Sequence, residues 1–273
     1  MEKSSVFGII LAIIAVGVGM VMKGADISVL LNYAAILIIF VGTAAAVLMA
    51  FPMSDLKNVP KLFKLVFAQP KLLSKKELIN LFVEWASITR REGLLALESR
   101  VDEIDDAFLK GGMRMIIDGN DHDFVRDVLM EDISAMEDRH RVGASIFTQA
   151  GTYAPTLGVL GAVVGLIAAL GNLTDIEKLG HSIAAAFVAT LFGIFSGYVL
   201  WHPIANKLKR LSKKEVDMKL MIVEGLLSIQ SGVSTIAISQ KLSVFLTPEE
   251  RKSLEEADSK GETMNEEAAQ GAS

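Results

Sequence analysis

Two long stretches without a single Asp, Glu, Lys or Arg, Val142–Thr174 and Leu179–Asn206, constrain this chain more than any other feature. Only Asp175-Ile176-Glu177-Lys178 separates them. Each exceeds the roughly 20 apolar residues that carry a helix across a bilayer core. The pair therefore reads as a tight transmembrane hairpin. Glycines recur at helical spacing: Gly158, Gly161 and Gly165 in the first run, Gly193 and Gly197 in the second. Lacking side chains, they let helix backbones approach closely, which is how helices associate in lipid. Pro155 and Pro203 fall where an ordinary soluble helix would not tolerate them.

Two further uncharged runs open the chain. Ser4–Met22 ends in Gly-Met-Val-Met-Lys, which is not a small-x-small cleavage site, and another apolar run follows almost at once. It is expected to be a retained span and not a cleaved leader. Ile27–Ser54 supplies a second span that ends at Phe51-Pro52. The expected spans are 4–22, 27–51, 149–171 and 180–203.

From Asp55 to Arg141 charges return and apolar residues recur at helical intervals. Val59–Phe67 reads as a short amphipathic helix beside the membrane, with Lys57, Lys61 and Lys64 toward lipid headgroups. Ser74-Lys75-Lys76-Glu77 has the form of a capping box that opens a helix through about Thr89. A second amphipathic helix is expected over Leu94–Leu109, ended by Gly111-Gly112. Asp121 is placed to cap a long helix that runs through Arg141 into the third span. The 33 residues of Val142–Thr174 make about 50 Å of helix against a hydrocarbon core of roughly 30 Å, so the excess should leave the membrane. After Asn206 a cluster of Lys207, Lys209, Arg210, Lys213 and Lys214 marks the exit of the fourth span; a helix of mixed character is expected through Leu227, then a shorter segment to about Phe245. From Thr247 onward the chain is acidic, rich in Ser, Gly and Ala, and expected to be disordered.

The expected domains are thus a hairpin over 1–54, a helical segment over 55–141, a second hairpin over 142–206, a helical extension over 207–246 and the tail. Of the 27 basic residues only Lys3, Lys23 and Lys178 lie outside Asp55–Arg141 and the region after Pro203. The positive-inside rule then puts both termini and the middle segment in the cytoplasm. The fold class is an all-α polytopic membrane protein, with four transmembrane helices in two hairpins and a helical cytoplasmic domain. The slightly acidic net charge of −5 gives no support for nucleic-acid binding, and the absence of cysteine excludes disulfides and thiolate metal sites.

No catalytic constellation exists. The four histidines, His122, His140, His181 and His202, lack metal-ligand spacing, and no phosphate loop, nucleophile elbow or metalloprotease motif occurs. No cofactor, metal or enzymatic activity is expected. None of the spans contains an Asp, Glu, Lys or Arg, although ion pathways normally need an ionisable group at depth. Either another chain supplies the titrating group or the spans are anchors. Pro155, Gly158, Ala162, Gly165 and Ala169 share one helical face, as do Ala186, Thr190, Gly193 and Gly197. Such faces leave room for a partner helix, or pack against each other or a second subunit. Thr190 is placed to hydrate or relay an ion, or to bond its own helix carbonyl. Arg90, Arg91, Glu92 and Glu98 surround a glycine break at Gly93; composition alone makes them a solvated corner.

The order of these features resembles the MotA/PomA stator proteins. The resemblance covers roughly Met1–Leu246. It is carried by four spans in two hairpins, Ala154-Pro155-Thr156-Leu157-Gly158, Ala189-Thr190-Leu191-Phe192-Gly193, Arg90 through Gly93 to Leu97-Glu98, and Trp201-His202-Pro203. It implies a flagellar stator subunit of the bacterial plasma membrane, assembled as a ring of five around two copies of a single-span MotB-type partner. That partner would bring the membrane aspartate missing here. Pro155 and Pro203 match the family's two coupling prolines, Thr190 its fourth-span threonine, and Arg90 and Glu98 its rotor-contacting pair, which engages FliG. Arg91 is an adjacent charge that would share this work. Sodium-driven relatives usually carry a threonine where this chain has Ala162, so Ala162 favours protons over Na+. A rival is an ExbB/TolQ-type subunit, whose relatives usually have three spans. A second is a membrane scaffold or protein channel without energy coupling.

Overall fold

The computed structural model describes residues 3–68 and 74–253, and most of the acidic tail lies outside the described residues. Among the described residues every regular element is helical. Four helices are long and apolar enough to cross a membrane.

The first, α1 (Lys3–Met22), is apolar on all sides, and none of Ser4–Met22 is buried within this chain. A 3-10 turn at Ile27–Leu30 follows, capped by the Asp26 side chain. The second span, α2 (Tyr33–Ala50), starts six residues later than the expected 27. The reason is Asn32, whose side-chain oxygen accepts from the Ala35 amide at 3.0 Å and fixes the helix start. α2 contains a π turn at Leu37–Val41 and ends before Pro52. Two short helices come next, α3 (Met53–Leu56) and α4 (Val59–Phe67).

α5 (Lys75–Glu92) opens with the expected capping box. The Ser74 amide donates to Glu77 at 2.8 Å, and the Glu77 amide donates to the Ser74 hydroxyl at 3.1 Å. Gly93, at φ +87°, ends it in a conformation that disfavours any side chain. The single helix expected over Leu94–Leu109 is not formed. Instead there is a 3-10 turn, Leu94–Leu97, then α6 (Glu98–Asp102), then α7 (Ala107–Ile117). Asp106 caps α7, accepting from the Leu109 amide at 2.9 Å, and Gly111-Gly112 lies inside that helix instead of ending it. Gly112 is buried, with Leu226 and Leu129 where a side chain would be. Close packing, and not a stop signal, accounts for that glycine.

α8 (His122–Leu170) is one helix of 49 residues, preceded by Asp121, whose carboxylate accepts from the Asp123 amide at 3.1 Å. α9 (Ile176–Gln230) has 55 residues and contains a second π turn at Ser196–Trp201. α10 (Thr235–Ser243) follows, capped by Ser234. The expectation of disorder from Thr247 is corrected at its start. Residues 248–253 are helical, because Thr247 and Glu250 exchange capping-box hydrogen bonds around Pro248 at the first helical position.

The chain divides into two units: Met1–Pro70 with Asp138–Ser212, and Lys71–Glu137 with Lys213–Ser273. The first holds the spans and α4. Phe63 of α4 packs edge-on to Phe147, with ring centroids 5.1 Å apart, and to Trp201 at 6.2 Å. Lys57, Lys61 and Lys64 stay exposed. The second unit has an ordinary soluble core built on Phe82, Trp85, Leu97, Leu109, Met113, Met221 and Leu226. Gly225 lies against the Phe82 ring, and a Cβ there would stand 2.5 Å from it.

Gly225→Ala is expected to destabilise this unit by about 1–3 kcal/mol through overpacking. Gly111→Ala, with open space at its Cβ, is expected to stabilise by about 0.5–1 kcal/mol. Thermal unfolding of the purified protein in detergent reads both; equal midpoints for the two variants would contradict this packing.

Candidate functional site

In the membrane unit the glycines of α8 and α9 meet one another. A Cβ on Gly158 would come 3.0 Å from the Ala189 carbonyl oxygen and from the Gly193 Cα. One on Gly193 would come 2.7 Å from the Ala154 carbonyl oxygen. Gly161 and Gly165 face Ala189 and Ala186, with 2.9 Å left for a Cβ in each case. Gly197 lies against the Gly151 carbonyl and the Pro155 ring, with 2.8 Å for each. Lipid tails are as apolar as the helices, so close backbone packing is what holds such a pair together. Within one chain, then, the glycine edges serve the hairpin itself. α2 adds to this face through Ala35 and Ile39, which cluster with Ala154 and Ala189.

Pro155, Ala162 and Thr190 lie on this pair but are only half-buried. Pro155 sits inside α8 and has no N–H, so the Gly151 carbonyl loses its helical donor. Gly197 approaches that same carbonyl. Thr190 donates to the Ala186 carbonyl at 3.3 Å, which leaves its oxygen lone pairs available. Pro203 is exposed and lies two residues beyond the π turn of α9, after His202. A proline cannot donate to the residue four before it, and the wide turn absorbs the resulting clash. The His202 amide reaches back five residues to the Gly197 carbonyl.

The sequence reading missed several polar groups. Thr148, Thr152 and Thr156 recur every fourth residue on α8, each donating to its own helix at 3.1–3.3 Å. Thr152 and Thr156 are exposed. Their spacing was the available signal. Thr43 of α2 is 3% exposed and its hydroxyl has no hydrogen-bond partner, a consequence of packing with no trace in the sequence. His202 lies over Gly151, with its ring 5.4 Å from that of Tyr198. Among the described residues no group of His, Asp and Glu is arranged to hold a metal ion.

The charged turn belongs to the other unit. Leu97 is fully buried and pins the 3-10 turn, while Arg90, Arg91, Glu92 and Glu98 are exposed. Neighbouring charges are paired: Arg100 with Glu84 at 2.9 Å, and Asp102 with Arg114 and Lys110. The Arg114 hydrogen bond, then that of Lys110, holds the Asp102 carboxyl below its ordinary value. Among the described residues Arg90, Arg91 and Glu98 form no ion pair; Arg91 donates only to the Ser87 carbonyl, at 3.4 Å. Their charge is therefore available to another molecule.

Gly193→Ala is expected to cost about 1–3 kcal/mol, because the clashing atom is a backbone carbonyl that cannot rotate away. Gly17→Ala, facing open space, is the control. A thermal midpoint for Gly193→Ala equal to that of the control would refute this helix contact.

Residues 100–221 match the MotA/TolQ/ExbB proton channel family. Motility protein A of Bacillus subtilis is 56% identical over 98% of this chain and 100% of its own length. The structure of the flagellar MotAB stator complex from Bacillus subtilis superposes with a TM-score of 0.89, at 56% identity over 93% of this chain and 99% of that one. C. jejuni MotAB gives 0.86 at 31% identity, over 91% and 97%. A relative this similar along its whole length shares the fold and the family: the chain belongs to the MotA/TolQ/ExbB proton channel family, among its motility protein A members.

Proposed function

We propose that this chain is a flagellar motor stator subunit which, with a MotB-type partner, forms a proton channel and converts ion-motive force into torque. The observation that carries the reading is a glycine-packed pair of spans free of Asp, Glu, Lys and Arg, in a chain that matches a stator complex along nearly its full length. A channel whose spans hold no Asp, Glu, Lys or Arg draws its carboxylate from elsewhere. The partner's membrane aspartate supplies it, in a ring of five chains around two partners. Both termini face the cytoplasm, in keeping with the placement of the basic residues.

In this reading a proton neutralises the partner aspartate near Thr190 and Pro155, the partner shifts relative to the ring, and the ring steps. Pro155 and Pro203 interrupt helical hydrogen bonding where the helices must flex. Arg90, Arg91 and Glu98 push on the rotor protein FliG. Ala162 presents a methyl where a sodium-driven stator would present a hydroxyl to replace part of the ion's hydration shell. The half-buried position of Ala162 beside Gly161 is compatible with that role.

Flux into vesicles carrying this chain and its unplugged partner is expected to follow a proton gradient, ignore sodium and vanish when the partner aspartate becomes asparagine. Sodium dependence would overturn the reading of Ala162 but keep the stator. Flux that persists without the carboxylate would overturn the channel itself. Charge reversal, Arg90→Glu with Glu98→Lys, is expected to abolish swimming while leaving flux unchanged. Loss of flux in that variant would put the two residues in the wrong step.

A further inference from the structure

The proposed ion pathway leaves the imidazole of His202 unused. His202 lies on α9 twelve residues beyond Thr190, about 18 Å at the ordinary helical rise, on the cytoplasmic side in the topology proposed above. A Cβ on Gly151 would stand 2.8, 2.8 and 2.9 Å from three atoms of the ring. Such even distances place the face of the imidazole over Gly151, where any larger residue would displace it. The ring of Tyr198 is 5.4 Å away, centroid to centroid. Among the described residues no hydrogen bond or ion pair engages the nitrogens of His202, which is half-buried. On α8, Thr148 and Pro155 lie one turn to either side of Gly151, and Thr152 follows it. The Gly151 carbonyl, left without a helical donor by Pro155, adds an acceptor beside the ring.

The outward surface of α8 changes character at the same level. Thr148, Thr152 and Thr156 run up to Pro155, and beyond them the same surface continues as the exposed Val159, Val163 and Leu166. Leu157–Gly171 contains no hydroxyl at all. Threonines bonded to their own helix are tolerated in lipid. These three stand apart because they occupy only the half of the span that holds His202, and each keeps acceptor capacity for water. A proton released near Thr190 and Pro155 has to cross that half to reach the cytoplasm. Imidazole is the group on this route that changes charge in the physiological range. We propose that His202 is the cytoplasm-side proton acceptor of this chain, reached from the partner's carboxyl group through water held along Thr156, Thr152 and Thr148. The carboxyl group gives up its proton and becomes a carboxylate. One ring nitrogen of His202 takes that proton through the water, and the imidazolium then releases one to cytoplasmic water. The proposal rests on the stator reading.

The test uses inside-out vesicles carrying the unplugged stator complex. His202→Gln, which keeps hydrogen bonding but carries no proton, should lower carboxylate-dependent proton flux by about 100-fold, the low end for a positioned proton-transfer group, while the ring stays assembled. Imidazole added to His202→Ala vesicles should restore flux, which a merely structural role would not allow. His181→Gln, at the opposite end of the fourth span, should change nothing. The chain has no cysteine, so single cysteines report water access. A charged methanethiosulfonate reagent, read by mass on this chain, should modify Thr152→Cys about tenfold faster than Val163→Cys, because the reacting thiolate forms only in water. Wild-type flux in His202→Gln, or a His202→Ala chain that imidazole does not rescue, would overturn the relay. Equal modification of the two cysteines would overturn the water route that feeds it. A wild type without carboxylate-dependent flux would overturn the stator reading and the relay together, and is thereby told apart from a failure confined to His202.

Discussion

The contact between the backbones of the third and fourth spans is the constraint on which the membrane unit depends. In water, burial of apolar side chains would hold two such helices together; in lipid it supplies no net drive, and what remains is close packing. Gly158 and Gly193 permit an approach at which even a methyl group would meet a carbonyl oxygen. Each further contact on this face extends the same geometry, from Gly165 against Ala186 at one end to Gly151 against the His202 ring at the other. Proline fits into this scheme: the carbonyl that Pro155 leaves without a helical donor is the one Gly197 approaches.

A scaffold of this kind suits a channel whose charge comes from another chain. The third and fourth spans offer threonine hydroxyls, Thr152, Thr156 and Thr190, each bonded to its own helix and each keeping acceptor capacity, but no Asp, Glu, Lys or Arg. The departures from regular helix, the π turns at Leu37–Val41 and Ser196–Trp201 and the two prolines, lie in the helices that form this face. π turns interrupt regular hydrogen bonding and recur at functional positions. The other unit is built in the opposite manner. Its charged turn stands on Leu97 and a dense core of aromatic and aliphatic side chains, which holds the exposed Arg90 and Glu98 on a stiff support.

Much of this was legible beforehand, for identifiable reasons. Four spans follow from charge-free length, and the Ser74–Glu77 box from a spacing that closes two hydrogen bonds at once. The glycine faces were legible as faces, but not as to what they touch. Elsewhere local signals competed. Gly111-Gly112 resembles a helix stop, yet Asp106 starts a helix that runs through it, because Gly112 is required by the side chain of Leu226, more than a hundred residues away in sequence. Asn32 shortened the second span, and Thr247-Pro248-Glu249-Glu250 started a helical turn inside a stretch whose composition reads as disordered. In each case a specific cap outweighed average composition.

The sequence by itself determined which segments enter the membrane, which side of it the basic residues favour, and that no Asp, Glu, Lys or Arg lies within the spans. Those are properties of solvent transfer, decided residue by residue. Only the tertiary structure decided that the glycines of α8 and α9 face each other, that Arg90 and Glu98 are left without ion pairs while Arg100 and Asp102 are not, and that the His202 ring lies over Gly151. These depend on which residues distant in the chain are brought within a few ångströms, and packing sets that, not composition.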